Sequence, residues 1–298
     1  MTSPRRSAAP TLTSVELFTG AGGLALGTDA AGFRHMAFVE LDRNACATLR
    51  LNAKRLGQAG QSLEPVDVRD MDFTQYAERL DLIAAGVPCQ PFSLGGKHRG
   101  HADHRNLFPE LFRAVCQARP KALLIENVKG LLRASFKPYF DYILLRLADP
   151  CNVPRSGEDW QSHKRRLLSD GGPASADARY EVSSHLVNCA DFGVPQKRER
   201  VFIVAFRRDV GARWAPPSPT HSQDALLCAK WIDGSYWKRH GLPVPSVPKH
   251  LRSRLSELSS SLFGEREQPW LTVRDAIGNL PKPVNGSEHP TVVNHVAN

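Results

Sequence analysis

Between residues 15 and 206 one unit keeps recurring: a short apolar run rich in β-branched residues, then a stretch with helical spacing. Residues 15–18, 36–39, 82–85, 122–125, 182–187 and 201–206 are the expected strands, with a shorter one at 65–68. Residues 24–31, 44–53, 107–118 and 139–147 carry the apolar spacing of helices. Strands joined through helical crossovers pair in parallel, so the expected fold class is α/β. It would be a mainly parallel twisted sheet with helices on both faces.

The residues at the end of each strand narrow the reading. The first strand leads into Thr19-Gly20-Ala21-Gly22-Gly23, the second into Glu40, the short one ends at Asp67, and the next two lead into Pro88-Cys89-Gln90 and Glu126-Asn127. In open α/β sheets ligands bind outside the carboxyl ends of the strands. Successive strand ends bearing reactive or polar groups therefore point to one site. Gly20, Gly22 and Ala25 form a G-x-G-x-x-A pattern at a helix start, and Glu40 stands where a carboxylate would hold the two hydroxyls of a ribose. A nicotinamide cofactor, S-adenosylmethionine or a plain glycine turn would all suit this pattern. Asp67 suits either an acceptor for an adenine amino group or a helix cap.

Cys89 sits between Pro88 and Pro91. Both prolines deny the chain ladder hydrogen bonds, so a strand must stop there and the thiol is presented on a stiff rim. Gly95, Gly96 and Gly100 then supply flexibility, and Lys97, His98, Arg99 and His101 supply positive charge that favours a reactive thiolate. Glu126 ends the apolar run Leu123-Leu124-Ile125, where a partly desolvated carboxyl would hold or deliver a proton near neutrality. Strand alternation through Gln196-Lys197-Arg198-Glu199-Arg200 would send Arg198 and Arg200 to the same side.

Six cysteines are scattered at 46, 89, 116, 151, 189 and 228 without a C-x-x-C pair. Neither a metal site nor a disulfide framework is expected, and all but Cys89 read as small buried residues. The net charge of +9 is shared by both halves and suits a polyanionic partner on a folded face. No apolar run approaches the ~20 residues of a membrane span. The opening MTSPRRSAAPTLTS lacks the apolar core of a signal peptide, so a cytoplasmic location is expected.

Taken in order, ELFTGAGGLALG, VPCQPFS, IENVKGLL and FGVPQKRERVFIVAF resemble the DNA (cytosine-5) methyltransferase family, over roughly residues 14–206. The resemblance implies a Rossmann-like methyltransferase fold and S-adenosylmethionine held by Phe18, Gly20, Gly22, Glu40, Asp67 and Leu107. It implies Cys89 as nucleophile, Glu126 as the carboxyl at cytosine N3, and Arg198 and Arg200 at the base. Gln90, Ser93, Asn127 and Gln196 would flank the substrate, a cytosine in duplex DNA. A prokaryotic, nucleoid-associated restriction-modification enzyme is the implied setting.

The expected organisation is a flexible N-terminus at 1–13, a catalytic and cofactor-binding domain at 14–206, and an incomplete target-recognition region at 207–298. Residues 154–179 read as a surface insertion carrying the basic cluster Lys164-Arg165-Arg166. Trp214, Trp231, Tyr236 and Trp237 read mainly as packing residues of the later region. LTVRDAIGNLPKP at 271–283 resembles the family's entry into the recognition region, and neither closing motif of the family is found after it. A second protein subunit supplying them is the favoured explanation. The alternatives are a regulatory DNA-binding subunit, a transfer-RNA cytosine methyltransferase and, on the glycine pattern alone, a nicotinamide oxidoreductase.

Overall fold

The computed structural model describes residues 12–57, 63–88, 106–172, 179–260, 267–287, 289–292 and 296–297. The chain divides into two compact units, one of residues 1–187 with 200–216, the other of residues 188–199 with 217–298.

The first unit is built on a six-stranded sheet. Its strands are β1 (Leu12–Leu17), β2 (Phe33–Val39), β3 (Leu82–Ala85), β4 (Ala122–Val128), β5 (Tyr180–Asn188) and β6 (Glu199–Arg207), in the order β2-β1-β3-β4-β6-β5. The pairs β1–β2, β1–β3 and β3–β4 are parallel, and β6 runs antiparallel to β4. The helices are α1 (Gly23–Ala30), α2 (Arg43–Leu51), α3 (Phe108–Ala118), α4 (Lys137–Ala148) and α5 (Trp160–Ser169).

Alternation along the strands decides which helix covers which face. Val15, Leu17, Ile83, Leu123 and Ile125 join α3 and α4 residues Leu111, Phe112, Val115, Phe140 and Ile143 in one buried cluster. Ala25 of α1 and Leu49 of α2 form a second cluster with Leu56, Leu63 and the β2 residue Phe38. Helices therefore cover both faces, as the alternation of elements in the sequence implies. Each of the larger side chains contributes about 1.5–3 kcal/mol by leaving water.

Four expectations are corrected by this fold. Residues 65–68 form no strand: Pro65 has no N–H to give, Val66 donates once to the Glu40 carbonyl, and a 3-10 turn comes next at Val68–Asp70. Within the expected surface insertion lies α5, capped by Asp159, whose carboxylate accepts from the Ser162 N–H at 2.7 Å. Its basic cluster serves the fold: Lys164 bonds the Pro138 carbonyl, and Arg166 bonds Glu158, Asn152 and Val153. Cys116 and Cys151, read as separate buried residues, are joined as a disulfide that ties α3 to the turn after α4. At the N-terminal end β1 already begins at Leu12, inside the segment expected to be flexible.

The second unit contains α6 (Gln223–Trp231), α7 (Ser235–Arg239), α8 (Arg252–Ser260), α9 (Val273–Ile277) and a parallel pair of short strands, β7 (His221–Ser222) and β8 (Gln268–Pro269). Tyr236 and Trp237 pack with Leu226 and Trp270, and the Lys230 ammonium lies 4.8 Å from the Tyr236 ring centre. The aromatic residues of this stretch thus act in packing. Trp270 donates to Asp191 at 2.9 Å, and Thr220 donates to the Asp191 carbonyl, which joins 188–199 to this unit. Thr272 caps α9, its hydroxyl accepting the Asp275 N–H, and the Asp275 carboxylate accepts the Thr272 N–H in return and pairs with Arg239 and His240. Burial raises its pKa, but the Thr272 donors and Arg239 outweigh that and bring it to about 2.

His163 of α5 is fully buried, its Nδ1 2.9 Å from the Tyr142 hydroxyl. Burial first, then the Arg146 and Arg166 guanidiniums, lower its pKa to about 4. An unfolded histidine protonates near ~6.5, so the folded state keeps its full advantage above that pH. The advantage is lost as pH falls toward 4, because the unfolded chain takes up a proton the folded one refuses. Denaturation curves should show the first unit losing on the order of 3 kcal/mol across this window through His163. His163→Gln should flatten that part of the pH profile whatever its effect on stability at neutral pH.

Candidate active site

Because β1 to β4 are parallel, their carboxyl ends share one edge of the sheet. At the first end the backbone turns left-handed at Phe18 (φ 54°) and again at Gly20 and Gly22 (φ 57° and 92°). A non-glycine residue in that region is uncommon, and Phe18 is held by its surroundings: Thr19 N–H donates to the Val39 carbonyl, and Gly86 N–H to that of Leu17. Glu40 closes this turn. One carboxylate oxygen accepts the Gly20 N–H at 2.7 Å, and the other accepts the Leu41 and Asp42 N–H groups, each at 2.8 Å.

Beneath the turn lies a buried polar cluster that the sequence reading missed. Glu16 is 1% exposed, and its carboxylate accepts from Thr28 of α1 at 2.7 Å and meets Ser14 and His35 Nδ1 at 3.3 Å. A carboxylate in that position has to be partnered. These partners lock α1 and β2 to β1, so the glycine turn between β1 and α1 has both ends fixed. The only signal was a lone glutamate within the apolar strand Val15-Glu16-Leu17-Phe18.

Asp67 caps the 3-10 turn, accepting the Arg69 N–H at 2.9 Å and pairing with the Arg69 guanidinium at 3.1 Å. The cap reading of this residue is the one seen here, and the carboxylate has more lone pairs than these two bonds use. Arg113 of α3 fixes the segment from the other side by donating to the Val68 and Met71 carbonyls at 2.7 and 2.8 Å. Gln117 accepts the Phe73 N–H. Leu107 forms the N-cap of α3, half-buried against the main core.

At the end of β4, Glu126 and Arg200 meet across the antiparallel pair. The register sets Glu126 opposite Phe202 and Val128 opposite Arg200, so the two charged residues are diagonal neighbours on one face. Their side chains form an ion pair of 2.6 Å and are 28% and 20% exposed, respectively. Asn127 points the other way. It is buried, and its amide donates to the Val87 carbonyl at 3.2 Å while its oxygen accepts the Val128 N–H at 2.8 Å. The residue expected beside the substrate thus holds the segment that leads to Pro88.

Cys89, Gln90 and Ser93 lie outside the described residues. Arg198 lies immediately before β6 and is exposed; its N–H donates to the Asn188 side chain and its carbonyl accepts from Cys189. Gln196 is exposed, its N–H donating to the Val194 carbonyl. No cluster of metal-ligating side chains occurs among the described residues.

Residues 12–150 and 163–241 match the model of the C-5 cytosine-specific DNA methylases. The chain belongs to that family. It is 32% identical to the type II methyltransferase M.AquIA of Picosynechococcus over 90% of its own length and 88% of that protein's. It is 36% identical to M.NgoMIV of Neisseria gonorrhoeae over 71% of its own length, and to M.NaeI of Lentzea aerocolonigenes over 75%. Of those two relatives the chain spans only about half, 57% and 48% respectively. These relatives are named type II methyltransferases, and enzymes of the matched family use S-adenosylmethionine.

The glycine turn fits that cofactor. An added Cβ at Gly20 or Gly23 would meet nothing within 4 Å, so the backbone is open to close approach. At Gly22 an added Cβ would stand 2.9 Å from Leu49 Cδ2, in a residue 1% exposed. Gly22→Ala should therefore cost about 1–3 kcal/mol, whereas Gly20→Ala, in ordinary left-handed space with room around it, should cost about 1 kcal/mol. Chemical denaturation of the two variants beside wild type measures the difference, and equal losses would contradict it.

Proposed function

We propose that this chain methylates carbon 5 of cytosine in duplex DNA, on a base rotated out of the helix, and so protects DNA in a restriction-modification system. The observation that carries the reading is the Glu126–Arg200 ion pair at the sheet edge, next to the Asn127 bond that holds Val87. Phe18, Gly20, Gly22, Glu40, Asp67 and Leu107 would hold S-adenosylmethionine, which supplies an electrophilic methyl group. Carbon 5 of cytosine is too poor a nucleophile to take it unaided. Cys89 thiolate adds to carbon 6, pushing electron density to carbon 5, while Glu126 holds N3 and Arg200 orients Glu126. After transfer, loss of the carbon 5 proton lets the thiolate leave. Extruding the base costs a few kcal/mol, which contacts between basic residues and phosphates offset.

The same reading includes a second polypeptide that supplies target recognition and the rest of the cofactor pocket. The chain spans 88% of M.AquIA, 57% of M.NgoMIV and 48% of M.NaeI.

Duplexes containing 5-fluorocytosine test the chemistry, because fluorine cannot leave as the proton does. With cofactor present, and with the complementing chain where one is required, a covalent adduct should map to Cys89. In the active assembly Cys89→Ser should lower methylation by at least roughly 10³-fold, and Glu126→Gln by roughly 10²–10⁴-fold. Turnover unaffected by the serine variant would refute the mechanism. Robust methylation by the isolated 298-residue chain would refute the need for a partner.

A further inference from the structure

At the edge of the sheet opposite the candidate active site, where β4 and β5 begin and β6 ends, lies a cavity of about 770 Å³. Arg119, Arg179, Arg207 and Arg208 line it, with Glu78, Asp149 and Asp209, and so does Cys151 of the disulfide. Arg207 pairs with Glu78 and Asp209 at 2.6 and 2.7 Å, and Arg119 pairs with Glu78 at 3.1 Å. These contacts form a rigid charged wall. Arg179 is exposed at its rim. Cys116, on α3, is not among the lining residues, so the two sulfurs differ in access from this side.

We propose that Cys116 and Cys151 form a thiol–disulfide exchange site, entered through the cavity at Cys151 and suited to a small thiol bearing carboxylates and an ammonium group. Arginines complement the carboxylates of such a molecule, and Asp149 and Glu78 complement its ammonium. In compartments kept reducing by small thiols, protein disulfides exchange rather than persist. The incoming thiolate attacks Sγ of Cys151, a mixed disulfide forms, and Cys116 leaves as a thiolate that takes up a proton. A second thiolate attacks the outer sulfur of the mixed disulfide, releasing the small-molecule disulfide and the Cys151 thiolate. Two small thiols are oxidised and one protein disulfide is reduced. The reverse sequence restores the bond that ties α3, with its Arg113 and Gln117, to the turn after α4.

Glutathione is the probe. The full chain, incubated with glutathione disulfide and alkylated before proteolysis, should yield Cys116 and Cys151 as one linked pair that reduced glutathione opens. In Cys116→Ala, glutathione disulfide should label Cys151 faster than Cys189 or Cys228 in the same molecule. Arg179→Glu should slow opening by glutathione roughly threefold to tenfold and leave opening by uncharged β-mercaptoethanol unchanged. Recovery of both cysteines as free thiols from the wild-type chain would overturn the proposal without recourse to any variant. Labelling of Cys151 no faster than the other thiols, or equal effects of Arg179→Glu on both reagents, would overturn it too.

Discussion

A parallel ladder makes its strands stop on the same edge, and that constraint organises everything the first unit presents. β1, β2, β3 and β4 run one way, so Phe18, Glu40, Gly86 and Glu126 gather at one rim although they are far apart in sequence. Reversal of β6 then becomes a chemical device. An antiparallel strand begins where its neighbour ends, so β6 delivers Arg200 to Glu126, while its far end, Arg207, joins Glu78 and Asp209 at the opposite rim. A parallel β6 would have exchanged the two arginines.

Three polar groups that face the interior or half-interior fix the loops this edge carries. Glu16 binds Thr28 and His35, Asn127 binds Val87, and Arg113 binds the Val68 and Met71 carbonyls. Apolar replacements of equal volume would fill the same space but leave the loops without directional restraint. A hydrogen bond loses strength within a few tenths of an ångström and at poor angles, whereas dispersion tolerates sliding. Orientation at the edge is therefore a matter of these few bonds, and the apolar core supplies the stability that holds their partners in place.

Much of this was legible in the sequence because the signals were local. An apolar run that ends in glycine, proline or a carboxylate marks a strand and its edge together, as at Phe18-Thr19-Gly20 and Ile125-Glu126. The features that were missed depended on partners distant in the chain. Residues 65–68 have strand-like composition, but Val68 and Met71 give their carbonyls to Arg113, more than forty positions on, and no ladder is needed. In α5 the helical spacing of Trp160, His163 and Leu167 was present but masked by the neighbouring charges. The Cys116–Cys151 pair spans 35 residues and only the packing of α3 on α4 brings it together.

The same logic bears on the nucleophile proposed to follow Val87. A reacting thiol has to meet a ring atom at bonding distance, and a misplacement of about 1 Å costs on the order of 10²-fold in rate. Proline at 88 narrows the backbone from within, but it cannot anchor it, since it donates no hydrogen bond. The anchor comes from the adjacent strand: Asn127 grips the Val87 carbonyl with its amide and has its own orientation set by the Val128 N–H. Glu126, the preceding residue, projects from the other face and is held by Arg200. Consecutive residues of one strand thus position the acid group on one side and the base of the nucleophile's segment on the other. Strand alternation sends the two side chains to opposite faces while the backbone between them stays fixed, so the two halves of the proposed chemistry share a single rigid reference.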